Sequence, residues 1–337
     1  MQYEEDDIIN IIELTVKRGI NCLYSNLRDC INYIIDGDLR EYQILLLSSS
    51  FKISYQSQHE YDIANNFLFE SFEGIASSIA DKLILKSYVL SNDIKMDCIK
   101  IGEDFLSKNI PILLVLDSAN LHYQTPPQYF VHVTAKHVIL AYGYDSLKRE
   151  VYAYDTYVYD DKHTEEAYKV VLSYDELLTS LYTMIAFKKD ETRIKDEPDL
   201  NFKANIREFI FAEPYCGINV FLKSIEDLQL LYGIKPDKGK EIIINLIYIY
   251  QIKYSIVYEI LEGVINDSKW PESDKKKYFE TNEMLKALWK QLYSKMLLTS
   301  CLFNERSIER IIETGRNVDM EQKKLLHFLY SNLVKYD

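Results

Sequence analysis

Cys22, His137 and Asp155 are the residues whose types and order along the chain best suit covalent chemistry. Cys22 follows Asn21, an N-cap residue type. It opens a run in which Leu23, Leu27, Cys30, Ile31 and Ile34 recur at three- and four-residue spacing, as on an amphipathic helix. A thiol in the first turn of a helix meets unpaired N–H groups and the positive end of the dipole, both of which favour the thiolate. An isolated thiol of pKa about 8.5 is a few per cent ionised at neutral pH, whereas a histidine partner can bring it to roughly 3–4. His137 offers that partner and Asp155 an acid to orient it.

The element that must bring the last two together is the stretch HVILAYGYDSLKREVYAYD, from His137 to Asp155. Val, Ile, Tyr and Ala dominate two arms, His137–Tyr144 and Glu150–Thr156, and polar residues fill Asp145–Arg149, which predicts a β-hairpin. With a five-residue loop Tyr144 pairs with Glu150. His137 then lies opposite Tyr157 and diagonal to Asp155 on one face. Diagonal neighbours are roughly 7–8 Å apart at Cα, within reach of long polar side chains. A four-residue loop would turn Asp155 to the other face. The order Cys, His, Asp is that of papain-like cysteine enzymes, in which the third group holds the imidazole in the useful tautomer. The competing reading makes Cys22 a small core residue, His137 a strand-end histidine and Asp155 a turn former. Cys30, Cys98, Cys216 and Cys301 are read as core.

The chain has 337 residues, 47% of them hydrophobic, with 28 tyrosines and a net charge of −13. That charge argues against a nucleic-acid binder, whose affinity rests on neutralising phosphates, and mildly favours a cationic small-molecule partner, with a solvated acidic surface as the commoner explanation. Five scattered cysteines without a CxxC indicate neither a disulfide framework nor a structural zinc site. Alternation splits His132 and His137 onto opposite faces, which argues against a metal there, and no glycine-rich phosphate loop appears. The acidic start MQYEEDD is unlike a signal peptide, and Ile242–Ile252 is the longest apolar-rich run, short of the roughly 20 residues that span a bilayer. A cytoplasmic protein without a membrane segment is expected.

Along the chain, Asp7–Val16 reads as a helix, with a strand as the alternative, and Gly37 closes the helix that starts at Cys22. Leu45–Tyr55 reads as a serine-rich connection running into a strand. Phe67–Ile79 and Ile84–Leu90 read as mixed helix and loop, Cys98–Lys108 as a helix and Ile110–Asp117 as a central strand. Asn120–Tyr129 is a loop. Ser173–Glu176 forms a capping box for a helix to about Ala186. The charged stretch Lys188–Lys203 marks a domain boundary, dividing 1–187 from a linker, 188–203, and a helical region, 204–337. Helices are expected there over Ala204–Phe211, Gly217–Tyr232, Asp237–Asp267, Ser273–Thr299, Ser307–Thr314 and Asp319–Tyr336. The fold class is thus α+β, with an all-helical C-terminal region.

Four segments carry a family resemblance: GINCLYSNL (Gly19–Leu27), Leu46–Tyr55, FLSKNIPILLVLDSANLHY (Phe105–Tyr123) and KHVILAYGYDSLKREVYAYDT (Lys136–Thr156). In order and spacing, over about residues 15–187, they resemble the N-terminal domain of the butirosin-biosynthesis acyltransferase family, a papain-like fold related to the peptidases of bacteriocin exporters. The resemblance implies Cys22 as nucleophile, His137 as general base and Asp155 as orienting acid. It places Asp117 and Tyr123 beside the site, in substrate contact or as a strand-end carboxylate and its loop. Asn21 stands where relatives often have histidine, and Ser48–Ser50 replace glycines. No glutamine precedes Cys22 at the spacing peptidases use, so an oxyanion hole falls to the Cys22 N–H and the Asn21 side chain. The implied activity is amide formation in natural-product assembly. An acyl group would pass from the phosphopantetheine thioester of a carrier protein, through Cys22, to an amine such as an amino sugar, diamine or peptide amine. No other cofactor is implied. The alternative is a cysteine peptidase, amidase or thioesterase of the bacteriocin-exporter type. Lys17, Arg18 and Arg28 are candidates for a basic carrier-docking patch, and a homodimer is left open.

Overall fold

The computed structural model of the chain describes residues 9–48, 53–55, 67–69, 71–91, 95–124, 136–157, 167–193, 198, 200, 243 and 256–336. His132, Cys216, the Pro126-Pro127 loop, the helices expected over Ala204–Phe211 and Gly217–Tyr232, and most of Asp237–Asp267 lie outside these residues. The chain divides into two units, Met1–Ser48 with Phe72–Leu200, and Ser49–Ser71 with Asn201–Asp337.

In chain order the elements begin β1 (Ile9–Ile11), α1 (Cys22–Ile35), α2 (Glu41–Ser48), β2 (Ile53–Tyr55), β3 (Phe67–Phe69), α3 (Phe72–Leu83) and β4 (Leu85–Ser91). They continue with α4 (Lys95–Ser107), β5 (Ile112–Asp117), β6 (Lys136–Asp145), β7 (Glu150–Asp155), β8 (Tyr168–Ser173), α5 (Tyr174–Ser180) and β9 (Leu181–Lys189). The first unit is a seven-stranded antiparallel sheet in the order β4-β9-β5-β6-β7-β8, with β1 also paired to β6. All six residues of β5 are buried, as a strand with neighbours on both edges and helices on both faces requires. Ile112, Leu114 and Leu116 join Ile139, Ala141, Val151 and Ala153 in a core with α4 and α5. By alternation Leu113, Val115, Val138 and Leu140 face the other way, and α1 packs across β5, β6 and β9.

Several expectations are corrected. Ile9–Ile11 is a strand rather than part of a helix, because its β-branched residues pair with Gly143–Asp145 of β6. The serine-rich connection begins as helix α2, in which Ile44, Leu45, Leu46 and Leu47 are all fully buried. A helix apolar on every side has no amphipathic period to betray it. The mixed segments resolve into α3 and the edge strand β4. The helix opened by the Ser173 capping box stops at Ser180, and Leu181–Lys189 crosses the sheet between β4 and β5 as β9. Helix α1 ends at Ile35, two residues before Gly37, and is capped by Asp36, which adopts φ 54° and whose N–H bonds the Asn32 carbonyl.

In the second unit β2 and β3 form an antiparallel hairpin. Helices α6 (Ile256–Asp267), α7 (Glu272–Cys301) and α8 (Glu305–Tyr336) follow, with α6 and α8 both packed on α7. The bond from Tyr336 OH to Asp274 Oδ2, 2.9 Å, joins the end of α8 to the start of α7 and shows the pair antiparallel. The two helices expected at Ser307–Thr314 and Asp319–Tyr336 are one. Ile308, Ile311, Val318, Leu325 and Leu329 form a buried stripe that carries the helix through Gly315. Among the described residues no helix is long and apolar enough to cross a membrane.

Candidate functional site

Helix α1 starts at Cys22 because Asn21, in extended geometry, caps it. Its Oδ1 accepts the N–H groups of Leu23 (2.9 Å) and Tyr24 (3.3 Å), worth about 1 kcal/mol of helix stability. This leaves Cys22 half-buried in the first turn, whereas Cys30 and Cys98 are buried. Burial raises the Cys30 thiol, which suits an inert core residue. Cys301, expected in the core, is exposed at the end of α7.

The hairpin reaches the expected pairing by an unexpected route. Asp145 pairs with Glu150, so the turn is 146–149, four residues rather than five. That register alone would put His137 and Asp155 on opposite faces. An extra residue, Tyr142, then interrupts the ladder, since Ala141 pairs with Ala153 and Gly143 with Tyr152. The bulge restores the offset, and continued past Leu140↔Tyr154 it sets Asp155 diagonal to His137. It lies where β6 exchanges one neighbour for another, β5 along Lys136–Ala141 and β1 along Gly143–Asp145. Gly143 is needed there: a Cβ would lie 2.5 Å from the Asn10 carbonyl oxygen.

His137 Nε2 lies 2.7 Å from Asp155 Oδ2, with both residues almost wholly buried. With Nε2 committed to the carboxylate, a second partner must use Nδ1, and the Cys22 side chain is near enough to act on the imidazole. Burial opposes the imidazolium, but the Asp155 carboxylate, with its hydrogen bond, and the nearby Cys22 side chain outweigh it, and His137 is pushed up to about 10. The chain matches no protein-family model and no curated protein.

Tyr123 and Asp117 take different places. Tyr123 OH donates to Asp155 Oδ2 at 3.0 Å. Burial and the adjacent carboxylate push the phenol up, so it remains a donor. Asp117 ends β5 and caps the turn after it, its carboxylate accepting Ala119 N–H at 3.0 Å. That is the role of a strand-end carboxylate holding its loop. The side chain of Asn21 is half committed: Oδ1 is the cap, and only its amide N–H groups are left to donate. The Arg28 guanidinium is engaged within the unit, gripping Asp29 at 2.7 and 2.9 Å and the Lys17 carbonyl at 2.6 Å. Lys17 and Arg18 are exposed.

Three groups had no sequence signal. Gln124, buried beside the pair, donates to Asp155 Oδ2 at 2.8 Å and lies 3.2 Å from His137 Nε2, while its Oε1 has no partner among the described residues. Asn26 bridges the Cys22 carbonyl (2.7 Å) and the Val138 carbonyl (2.8 Å), lacing the nucleophile's helix to the histidine's strand. Ser25 Oγ meets Thr156 Oγ1 at 2.5 Å, tying the same helix to the residue after Asp155. Thr156 adjoins Asp155 in the sequence, but nothing there points to Ser25 as its partner. Among the described residues no cluster of His, Cys, Asp and Glu could hold a metal ion.

Proposed function

We propose that the first unit is a papain-like cysteine enzyme and that it transfers acyl groups through a thioester on Cys22. The observation that carries the reading is buried His137 held through Nε2 by Asp155, with the Cys22 side chain, in the first turn of α1, near enough to raise the imidazole. An imidazole fixed at one nitrogen by a buried carboxylate presents the other nitrogen to the thiol in one tautomer. The Cys22 N–H, with no acceptor among the described residues, would face the oxyanion together with the Asn21 amide.

In the first step the Cys22 sulfur attacks the thioester carbon and a tetrahedral oxyanion forms. Its collapse breaks the old C–S bond, and the departing thiol takes a proton from His137 Nδ1. An amine then attacks the acyl-enzyme, His137 Nδ1 accepts the amine's proton, and Cys22 leaves as the thiolate with the amide formed. The resemblance of residues 15–187 to the butirosin-biosynthesis acyltransferase family favours an amine over water as acceptor, and a carrier-protein thioester as donor. The net charge of −13 suits a cationic acceptor such as a diamine or amino sugar.

The test is the amine dependence of thioester turnover. The reading predicts slow consumption of an acyl thioester alone, acceleration by a diamine or amino sugar, and amide as the main product. Fast hydrolysis unaffected by any amine would decide for the peptidase, amidase or thioesterase alternative.

A further inference from the structure

The backbone N–H groups of Ile20, Asn21, Leu23 and Tyr24 all have acceptors, and that of Cys22 has none among the described residues. The first two go to one carboxylate: Glu41 Oε2 takes Ile20 N–H at 3.2 Å and Oε1 takes Asn21 N–H at 3.0 Å. Asn21 Oδ1 takes the last two. The free N–H is nevertheless fixed in direction. A planar peptide unit ties Cys22 N–H to the Asn21 carbonyl, and that carbonyl accepts Ser25 N–H at 3.0 Å and Ser25 Oγ at 2.5 Å. The preceding peptide unit is fixed by the Asn21 N–H on Glu41. Gly19 leaves the strap no slack, because a Cβ there would lie 2.1 Å from Ser25 Cβ and 3.0 Å from Glu41 Oε2. Glu41 is in turn seated at the start of α2, with Arg28 Nη1 3.9 Å from Oε2.

We propose that Glu41 is a positioning residue for acyl transfer, aiming the Cys22 N–H at the oxyanion through its two bonds to the Ile20–Asn21 backbone. The inference rests on the acyl-transfer reading above. A carboxylate is the required group, since it accepts from two adjacent N–H groups at once. A glutamine offers one acceptor and turns an NH₂ towards the other donor.

Glu41→Gln separates this role from its rivals when two reactions of Cys22 are followed by mass spectrometry. Alkylation by iodoacetamide displaces iodide and develops no oxyanion. Acylation by the small thioester butyryl-N-acetylcysteamine passes through one, forming butyryl-Cys22 and releasing N-acetylcysteamine. Glu41→Gln should alkylate within about twofold of the native rate yet acylate roughly 10- to 100-fold more slowly. Native-rate acylation would overturn the proposal. So would an equal fall in both reactions, which would mean that Glu41 supports the thiol or the fold rather than the oxyanion donor. Should Glu41→Gln not fold, Ser25→Ala, which removes one of the two bonds on the Asn21 carbonyl, is judged by the same ratio. A native protein that alkylates but never acylates would sink the acyl-transfer reading itself, and this proposal with it.

Discussion

The Asp155 carboxylate accepts four hydrogen bonds, from Tyr123, Gln124 and His137 on Oδ2 and from Tyr157 N–H on Oδ1. The carboxylate they hold in place favours the imidazolium of His137. A histidine raised from its ordinary 6.5 to about 10 stabilises the fold fully below 6.5, and that contribution disappears as pH rises through about 10. Asp155→Asn should therefore lower stability most near pH 6, by on the order of 2 kcal/mol, with the deficit shrinking towards pH 10. Denaturant midpoints of both proteins across that range measure it, and a deficit that grows with pH would show that the carboxylate does not hold the imidazolium. The meeting of His137 and Asp155 was legible from residue type and strand alternation. Gln124 and Glu41 were not, because a loop and the first residue of a buried helix carry no period to say which side chain turns inward.

At the scale of elements, the hairpin shows that a correct pairing can hide a wrong loop count. The bulge at Tyr142 compensates for a four-residue turn, and nothing in the sequence distinguishes that combination from a regular five-residue hairpin. Its cause lies outside the hairpin, in the change of neighbour from β5 to β1, so local reasoning could not reach it. The test is Gly143→Val. The added side chain would collide with the β1 backbone at Asn10 and Ile11, and the expected loss of about 1–3 kcal/mol can be read by chemical unfolding. An unchanged midpoint would mean that β1 contributes nothing to holding β6. The other misreadings share one origin, tertiary burial overriding a local pattern. Ile44–Leu47 forms a helix without amphipathicity, and Met184–Phe187 becomes a central strand behind a genuine helix cap. The capping box and the N-cap at Asn21 were legible because each is a local hydrogen-bond exchange.

At the scale of the whole molecule, every residue assigned to the chemistry lies in the first unit, between Gly19 and Tyr157. The second unit gives the α7–α8 hairpin its identity through buried stripes such as Leu285, Leu292 and Met296 facing Ile311, Val318 and Leu325. Buried Asn282, Thr314, Gln322 and Asn332 interrupt them. The function proposed for the first unit, joining a cationic amine to an acyl group, draws on the net charge of −13 and on an imidazole held by a buried carboxylate. That account stands on one covalent species, butyryl-Cys22. Incubating the native protein with butyryl-N-acetylcysteamine and no amine, followed by peptide mass spectrometry, should find the acyl group on Cys22 and not on exposed Cys301. Adding a diamine should discharge it as amide, and His137→Ala should slow its formation by roughly 10²–10⁴-fold. An acyl group spread over Cys22 and Cys301 alike, or none on Cys22 while thioester is consumed, would contradict the account.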